Sequence, residues 1–266
     1  METVFRQRDD NEFLNILNAI RDNEINDKML SQLKTRYFPE VSELESNTII
    51  ICTTNAIADE INRKKMVELK TKNIVYKASI SGTFESEVKE NNYPALNYLE
   101  LREKAQVMMI KNDKNGRWAN GTVGVIEKLT DSSVYVKINN HVHEVSVETW
   151  QNIEYIYDAN ENKLKTNILG EYKQYPIKLS WASTIHKSQG KTYDKVIIDF
   201  SIKPFAHGQT YVALSRCKTL DGIILKQEIT KEIIGIKYDI KVKEKIAKMK
   251  KNQYFNTDYF YDDIPF

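Results

Sequence analysis

Residues 181–196 read WASTIHKSQGKTYDKV. An apolar strand ends there in Ser183 and Thr184, and His186, Lys187 and Gln189 follow at once. Hydroxyls and backbone N–H groups at the start of a helix bind phosphate oxygens, and a His or Lys adds charge or a stacking surface. The segment therefore suits a phosphodiester backbone, with no need to read a base edge. The Gly190-Lys191-Thr192 within it is not a phosphate-binding loop. That motif requires a glycine five residues earlier, where Ile185 stands, and no other GxxxxGK[ST] occurs in the chain.

Working outward, VIIDF at 196–200 is the apolar run of a strand buried on both faces. Residues 176–182 form another strand, and the stretch between the two is polar and compatible with a helix. Upstream, residues 48–52 (TIIIC) read as a buried strand, after which Thr53, Thr54 and Asn55 open a helix carrying Ile57, Ile61, Met66 and Leu69. Further strands are expected at 74–80 and 106–110, with a looser, partly helical segment between them. Asp9 or Asp10 can cap a helix whose Phe13, Ile16, Leu17 and Ile20 form one apolar stripe.

Between residues 121 and 150 the texture changes. TVGVIE, VYVKI and HEVSV are separated by DSS and NNH, a period-two pattern that suits a small antiparallel barrel. An α/β domain with a parallel sheet flanked by helices, interrupted by a small β insertion, accommodates this order. His141 and His143 alternate with valine, and no further ligand completes a metal site there.

Composition agrees with a packed fold: of 266 residues, 41% are apolar and 29% charged. No apolar run approaches the length needed to cross a bilayer, and METVFRQRDD lacks the core of a signal peptide, so a cytoplasmic protein with no membrane partner is expected. Cys52 and Cys217 have no second pair with which to build a metal site or a disulfide framework, so both read as reduced, packed thiols. The net charge of +2 neither demands nor excludes nucleic acid. Residues 237–251 hold seven Lys against Asp239 and Glu244, whereas 254–266 hold three Asp and no base.

With these residues in view, TIHKSQGKT resembles motif V of the Pif-type (petite-integration-frequency) and RecD-like superfamily-1 DNA helicases. Three more segments agree, in the right order. VFRQRDDNEFLNILNAIR (4–21) resembles their motif IV, KAQVMMIKNDKNGRWANGTVGVI (104–126) the approach to their inserted barrel, and GQTYVALSRCKTLDG (208–222) their motif VI. In that family two RecA-like domains flank ATP, and single-stranded DNA crosses both. The resemblance implies a second RecA-like domain at 38–112 and 176–230 and an inserted Src-homology-3-like barrel at 113–175. It leaves a remnant of the first domain with motif IV at 1–37, a basic extension at 231–252 and an acidic aromatic tail at 253–266.

Carried over by position, the resemblance makes Arg216 the arginine that reaches the γ-phosphate and Arg6 its companion. A planar, permanently charged guanidinium suits the charge that accumulates during phosphoryl transfer. Gln189 and Gly190 would couple nucleotide to DNA, and Thr184, His186 and Lys187 would face the single strand. Thr53, Thr54 and Asn55 would hold a backbone phosphate, although the cluster is equally readable as a helix cap alone. The phosphate-binding loop and the magnesium-binding acidic motif are absent, so ATP and Mg2+ belong only to a complete helicase. The chain would then be a truncated piece or one product of a split gene, joined to an N-terminal half that carries the missing loop. The implied movement is 5′ to 3′, in replication, repair or recombination. The alternative is a non-catalytic DNA-binding or recruitment module derived from a helicase.

The last residues, DYFYDDIPF, resemble the C-terminal tip of bacterial single-stranded-DNA-binding proteins. Asp262 and Asp263 could pair with basic residues of a protein that recognises such tips, while Ile264, Pro265 and Phe266 supply an apolar anchor of low entropy. A disordered end is the other reading.

Overall fold

Asp10 accepts a hydrogen bond from the Phe13 N–H at 2.8 Å and caps helix α1 (Asn11–Asp22). Asn26 does the same for α2 (Asp27–Lys34) through the Met29 N–H. The computed structural model describes residues 10–41, 48–158, 162–206 and 208–235. Arg6, the Lys-rich stretch at 237–251 and the tail residues Asp262, Asp263, Ile264, Pro265 and Phe266 lie outside the described residues.

Along the chain follow β1 (Ile49–Cys52), α3 (Asn55–Glu68), β2 (Asn73–Lys77), β3 (Ser79–Gly82), the one-turn α4 (Thr83–Ser86), β4 (Tyr98–Arg102) and β5 (Gln106–Met109). Next come β6 (Val123–Leu129), β7 (Val134–Ile138), β8 (His141–Val145), β9 (Glu148–Asp158), β10 (Lys163–Gln174) and β11 (Ile177–Leu179). Finally there are β12 (Ala182–Thr184), β13 (Val196–Asp199), α5 (Gln209–Leu214), β14 (Ile223–Leu225) and α6 (Lys231–Ile234).

Four strands form an all-parallel sheet in the order β12-β1-β13-β14. β1 has no polar side chain and is buried on both faces, as the run IIIC requires of a central parallel strand. Its alternate residues serve two cores. Ile49 and Ile51, with Val196 and Ile198, pack against Phe13, Ile16, Leu17 and Ile20 of α1 and Ala213 and Leu214 of α5. Ile50 and Cys52, with Ala182 and Ile197, pack beneath Ala58, Ile57 and Ile61 of α3. Helix α1 thus shares the core of the parallel sheet, although its segment was expected to be a remnant of another domain. Its apolar stripe finds its partners in β1 and β13.

The remaining strands are antiparallel: β11-β5-β6-β7-β8, the pair β2-β4, and β3-β10-β9. The first two enclose a third core that includes Tyr76, Leu99, Leu101, Val107, Met109, Trp118, Val134 and Val136. Met66 of α3 also reaches into it, so this core and that of Ile50 and Cys52 meet along one helix. Gln106 ties them further, donating from its buried amide to the carbonyls of Thr48 (2.9 Å) and Ser180 (3.0 Å).

Several elements depart from expectation. The single strand anticipated at 74–80 divides at Ala78: β2 pairs with β4, and β3 pairs with β10. The strand expected at 176–182 likewise divides, β11 joining the antiparallel sheet and β12 the parallel one. Both β5 and β11 therefore lie in the antiparallel sheet, on the far side of the division expected at 112/113 and 175/176. The segment before β5 does contain short helical turns, but it ends in β4, where Leu99 and Leu101 point inward from YLELR. The paired strands β9 and β10 were not anticipated. Most of their outer residues, Tyr155, Tyr157 and Leu164 among them, are exposed, so no buried alternation marks them in the sequence.

Cys52 and Cys217 are both buried, and burial pushes each thiol up to about 11. Among the described residues no helix is long and apolar enough to cross a membrane. Gly82 has φ +62°, and a Cβ there would stand 2.1 Å from the Leu169 carbonyl oxygen, so the β3–β10 crossing requires glycine.

Phe13 is fully buried between α1 and the sheet. Phe13→Ala should cost about 3–5 kcal/mol in urea unfolding. A loss of under about 1 kcal/mol would mean that α1 is dispensable to the parallel-sheet core.

Candidate nucleic-acid interface

In a parallel sheet, ligands gather at the carboxyl ends of the strands, where loops diverge and helices begin. Here β1 ends at Cys52, just before Thr53, β12 at Thr184 and β13 at Asp199, and the three ends are adjacent because β1 pairs with both neighbours. Cys52 lies opposite Thr184 on one side and Asp199 on the other.

The six residues expected to face a single strand come together. Thr53, Thr54, Asn55, Thr184, His186 and Lys187, with Phe205, line one groove of roughly 370 Å³. Their hydroxyls also do structural work. Thr54 accepts from the Ile57 N–H at 3.4 Å and caps α3, so the capping reading holds. Thr53 donates to the Ile202 carbonyl at 3.0 Å, and Thr184 accepts from the Lys187 N–H at 3.3 Å. The side chains left open to the groove are those of Asn55, His186 and Lys187, all exposed, at the positive end of α3.

The polar stretch after β12 forms only a 3-10 turn, His186–Ser188, where a helix had been thought possible. Gly190, at φ +78°, then reverses the chain in a conformation that favours glycine. Gln189 and Gly190 are exposed on this turn, away from the groove's lining.

Arg216 holds the other side of the same turn. It is 8% exposed. Its Nε donates to the Val212 carbonyl (2.9 Å), one terminal nitrogen to the carbonyls of Ser188 and Lys191 (both 3.4 Å), and the other to Ser215 Oγ (2.8 Å). The guanidinium is folded against the protein and ties α5 to the loop that bears His186 and Lys187.

Sequence reading missed Phe205 and Asn62. Phe205 is 65% exposed, and its loop is pinned by Gln209 Oε1, which accepts from the Phe205 N–H at 2.9 Å. Asn62 closes the outer edge of the parallel sheet, giving and receiving hydrogen bonds with the Ala182 backbone at 3.0 and 2.9 Å. A lone Asn at mid-helix carries no signal of that pairing. Asp199 is buried. Burial works against its charge, but the Ser201 N–H at 2.8 Å and Lys226 at 3.1 Å hold its carboxyl below its usual range. Among the described residues no cluster of His, Cys, Asp and Glu could hold a metal ion.

The parallel sheet, and the polar turns that converge at its carboxyl edge beside an antiparallel lobe, define an α/β domain with a groove suited to a phosphate backbone. The comparisons carry this to a family. No family model matches the sequence. The ATP-dependent DNA helicase Pif1 of Campylobacter jejuni is 30% identical over 216 residues, covering 77% of this chain and 48% of that protein. The unliganded Pif1 structure from Bacteroides sp superposes with a TM-score of 0.81 at 34% identity, covering 94% of this chain and 57% of that one. The Bacteroides Pif1 complex with ADP-AlF3 and single-stranded DNA matches at a TM-score of 0.70 and 34% identity, over 94% and 56% of the two chains. Together these likenesses support a Pif1-type superfamily-1 helicase C-terminal half. The chain spans about half the length of the curated bacterial relative and of the solved structures.

Arg216→Ala removes the donor to three backbone carbonyls, two of them on the groove-bearing turn. It should cost about 1–3 kcal/mol of stability by urea denaturation. Thr54→Ala should cost about 1 kcal/mol through loss of the α3 cap. An unchanged midpoint for Arg216→Ala would show that the guanidinium does not brace the turn.

Proposed function

We propose that the chain is the C-terminal part of an ATP-dependent DNA helicase. It binds single-stranded DNA in the groove between α3 and the His186 turn and presents arginines to an ATP site completed by an N-terminal RecA-like domain. The observation that carries this reading is the convergence of Asn55, His186 and Lys187 on one side of a turn whose other side is tied to Arg216.

Phosphates of the strand would sit against the α3 N-terminus and Lys187, where backbone dipoles and one ammonium favour negative charge. Phe205, exposed at the groove, offers a base a stacking surface. Arg216 would stabilise charge on the γ-phosphate once an opposing domain closes on it, with Arg6 as its companion. Because Arg216 hydrogen-bonds the Ser188 and Lys191 carbonyls, drawing it toward a phosphate would pull on the turn that carries Lys187. Gln189 and Gly190, exposed on that turn, would face the nucleotide side. ATP and Mg2+ would be held chiefly by the partner half, since this chain has no GxxxxGK[ST] loop. The Bacteroides complex with ADP-AlF3 and single-stranded DNA supports both ligands for a similar protein. The antiparallel lobe would be the inserted barrel of the resemblance, and the tail at 262–266 a docking peptide.

Purified chain should bind a labelled oligothymidylate at low salt, and Lys187→Ala should weaken that binding. Joined to a half bearing the phosphate-binding loop, it should restore DNA-stimulated ATP turnover, and Arg216→Ala should reduce this by about 10³ or more. A folded chain that binds no single strand at low salt would overturn the reading.

A further inference from the structure

Residues 200–206 follow β13 and form neither helix nor strand, and Ile202 and Phe205 stand 48% and 65% exposed on them. A loop of that kind, left free, lets an apolar ring fold down onto the nearest core. Here polar side chains from other parts of the fold pin its backbone. Gln227 Oε1 accepts from the Phe200 N–H at 2.5 Å, Asp199 Oδ1 accepts from the Ser201 N–H at 2.8 Å, and Thr53, just past β1, donates to the Ile202 carbonyl at 3.0 Å. Asp199 is itself tied to Lys226 at 3.1 Å.

The last pin acts on Phe205 itself. Gln209, the first residue of α5, is 4% exposed, and its Oε1 accepts from the Phe205 N–H at 2.9 Å and from the Ala206 N–H at 3.4 Å. Two N–H donors identify that atom as the oxygen, so the buried Nε2 is the one left without an acceptor. An NH2 buried in this way costs stability. Methionine would fill a similar volume without that cost but could not hold the loop. What the glutamine secures in return is the placement of one exposed ring at the groove that Thr53, Thr54, His186 and Lys187 also line.

We propose, resting on the single-strand reading above, that Gln209 is a positioning residue for base stacking: it holds Phe205 out at the groove so that the ring receives a base of the bound strand. Gln209 itself touches neither base nor phosphate. Its effect is confined to the part of the affinity that depends on bases, whereas Lys187 and the α3 N-terminus act on phosphates.

The test compares, for the full chain, the binding of a labelled oligothymidylate with that of an abasic strand of the same length and backbone. Wild type should favour the thymidylate by about tenfold, the order expected of one base stacked on one aromatic ring. Phe205→Ala should bring that ratio close to one with no change in the salt slope, which reports phosphates neutralised. Gln209→Met should do the same, and adding Phe205→Ala to it should lower the ratio no further. Gln209→Glu keeps an oxygen at the same place and should retain the ratio, its added charge weakening both strands alike. Hydrogen exchange at the Phe205 amide should be faster in Gln209→Met than in wild type or Gln209→Glu. Should Gln209→Met not fold, Gln209→Asn, one methylene shorter, carries the same expectation. A folded Gln209→Met that keeps the wild-type ratio while Phe205→Ala loses it would show that the glutamine does not position the ring. A wild type that binds both strands equally would overturn the stacking assignment and leave the phosphate groove standing, and one that binds neither would overturn both.

Discussion

The arrangement of this domain depends on a single constraint, the pairing of Ile49–Cys52 with a parallel strand on each edge. Both of its faces are covered, and its four side chains, none of them charged, fill a core on each side. Once it does, the carboxyl ends of β12 and β13 are fixed beside its own. This ladder brings Thr53 beside Thr184 and Asp199, which lie about 130 residues or more further along the chain. No direct contact among the groove residues is needed to assemble them.

A second device acts on the turn after β12. Arg216 spends its hydrogen bonds on carbonyls of that turn and of its own helix, while the turn's other side lines a groove. Folded inward, the guanidinium braces the loop, and in the function proposed above it would be drawn outward to an anion. Exchanging one set of partners for the other is a way to link events at two surfaces without moving the sheet beneath them.

Much of this was legible in advance. IIIC and VIID announced two-sided burial, Asp10 and Thr54 announced helix starts, and the stripe Phe13, Ile16, Leu17, Ile20 announced an amphipathic helix. The polar cluster after Thr184 stood out because hydroxyl, imidazole and ammonium follow an apolar strand without interruption. Elements whose partners were distant were read less well. The runs at 74–80 and 176–182 look continuous in one dimension, yet each is shared between two sheets, and a change of hydrogen-bonding partner leaves no trace in hydropathy. β9 and β10 satisfy their backbone largely by pairing with each other and expose most of their outer side chains, so they lack the alternation by which a half-buried strand is recognised.

The sequence by itself determined which segments must be buried, where helices could begin, and which residue types could meet a phosphate, because these follow from side-chain chemistry within a few positions. Tertiary structure alone decided that Asn62 seals the edge of β12, that Phe205 stands at the groove, and that Arg216 turns inward to carbonyls. Each of those depends on strands and loops far apart in the chain being packed together. Burial and neighbouring charge, which set what such groups can do, exist only after that packing is complete.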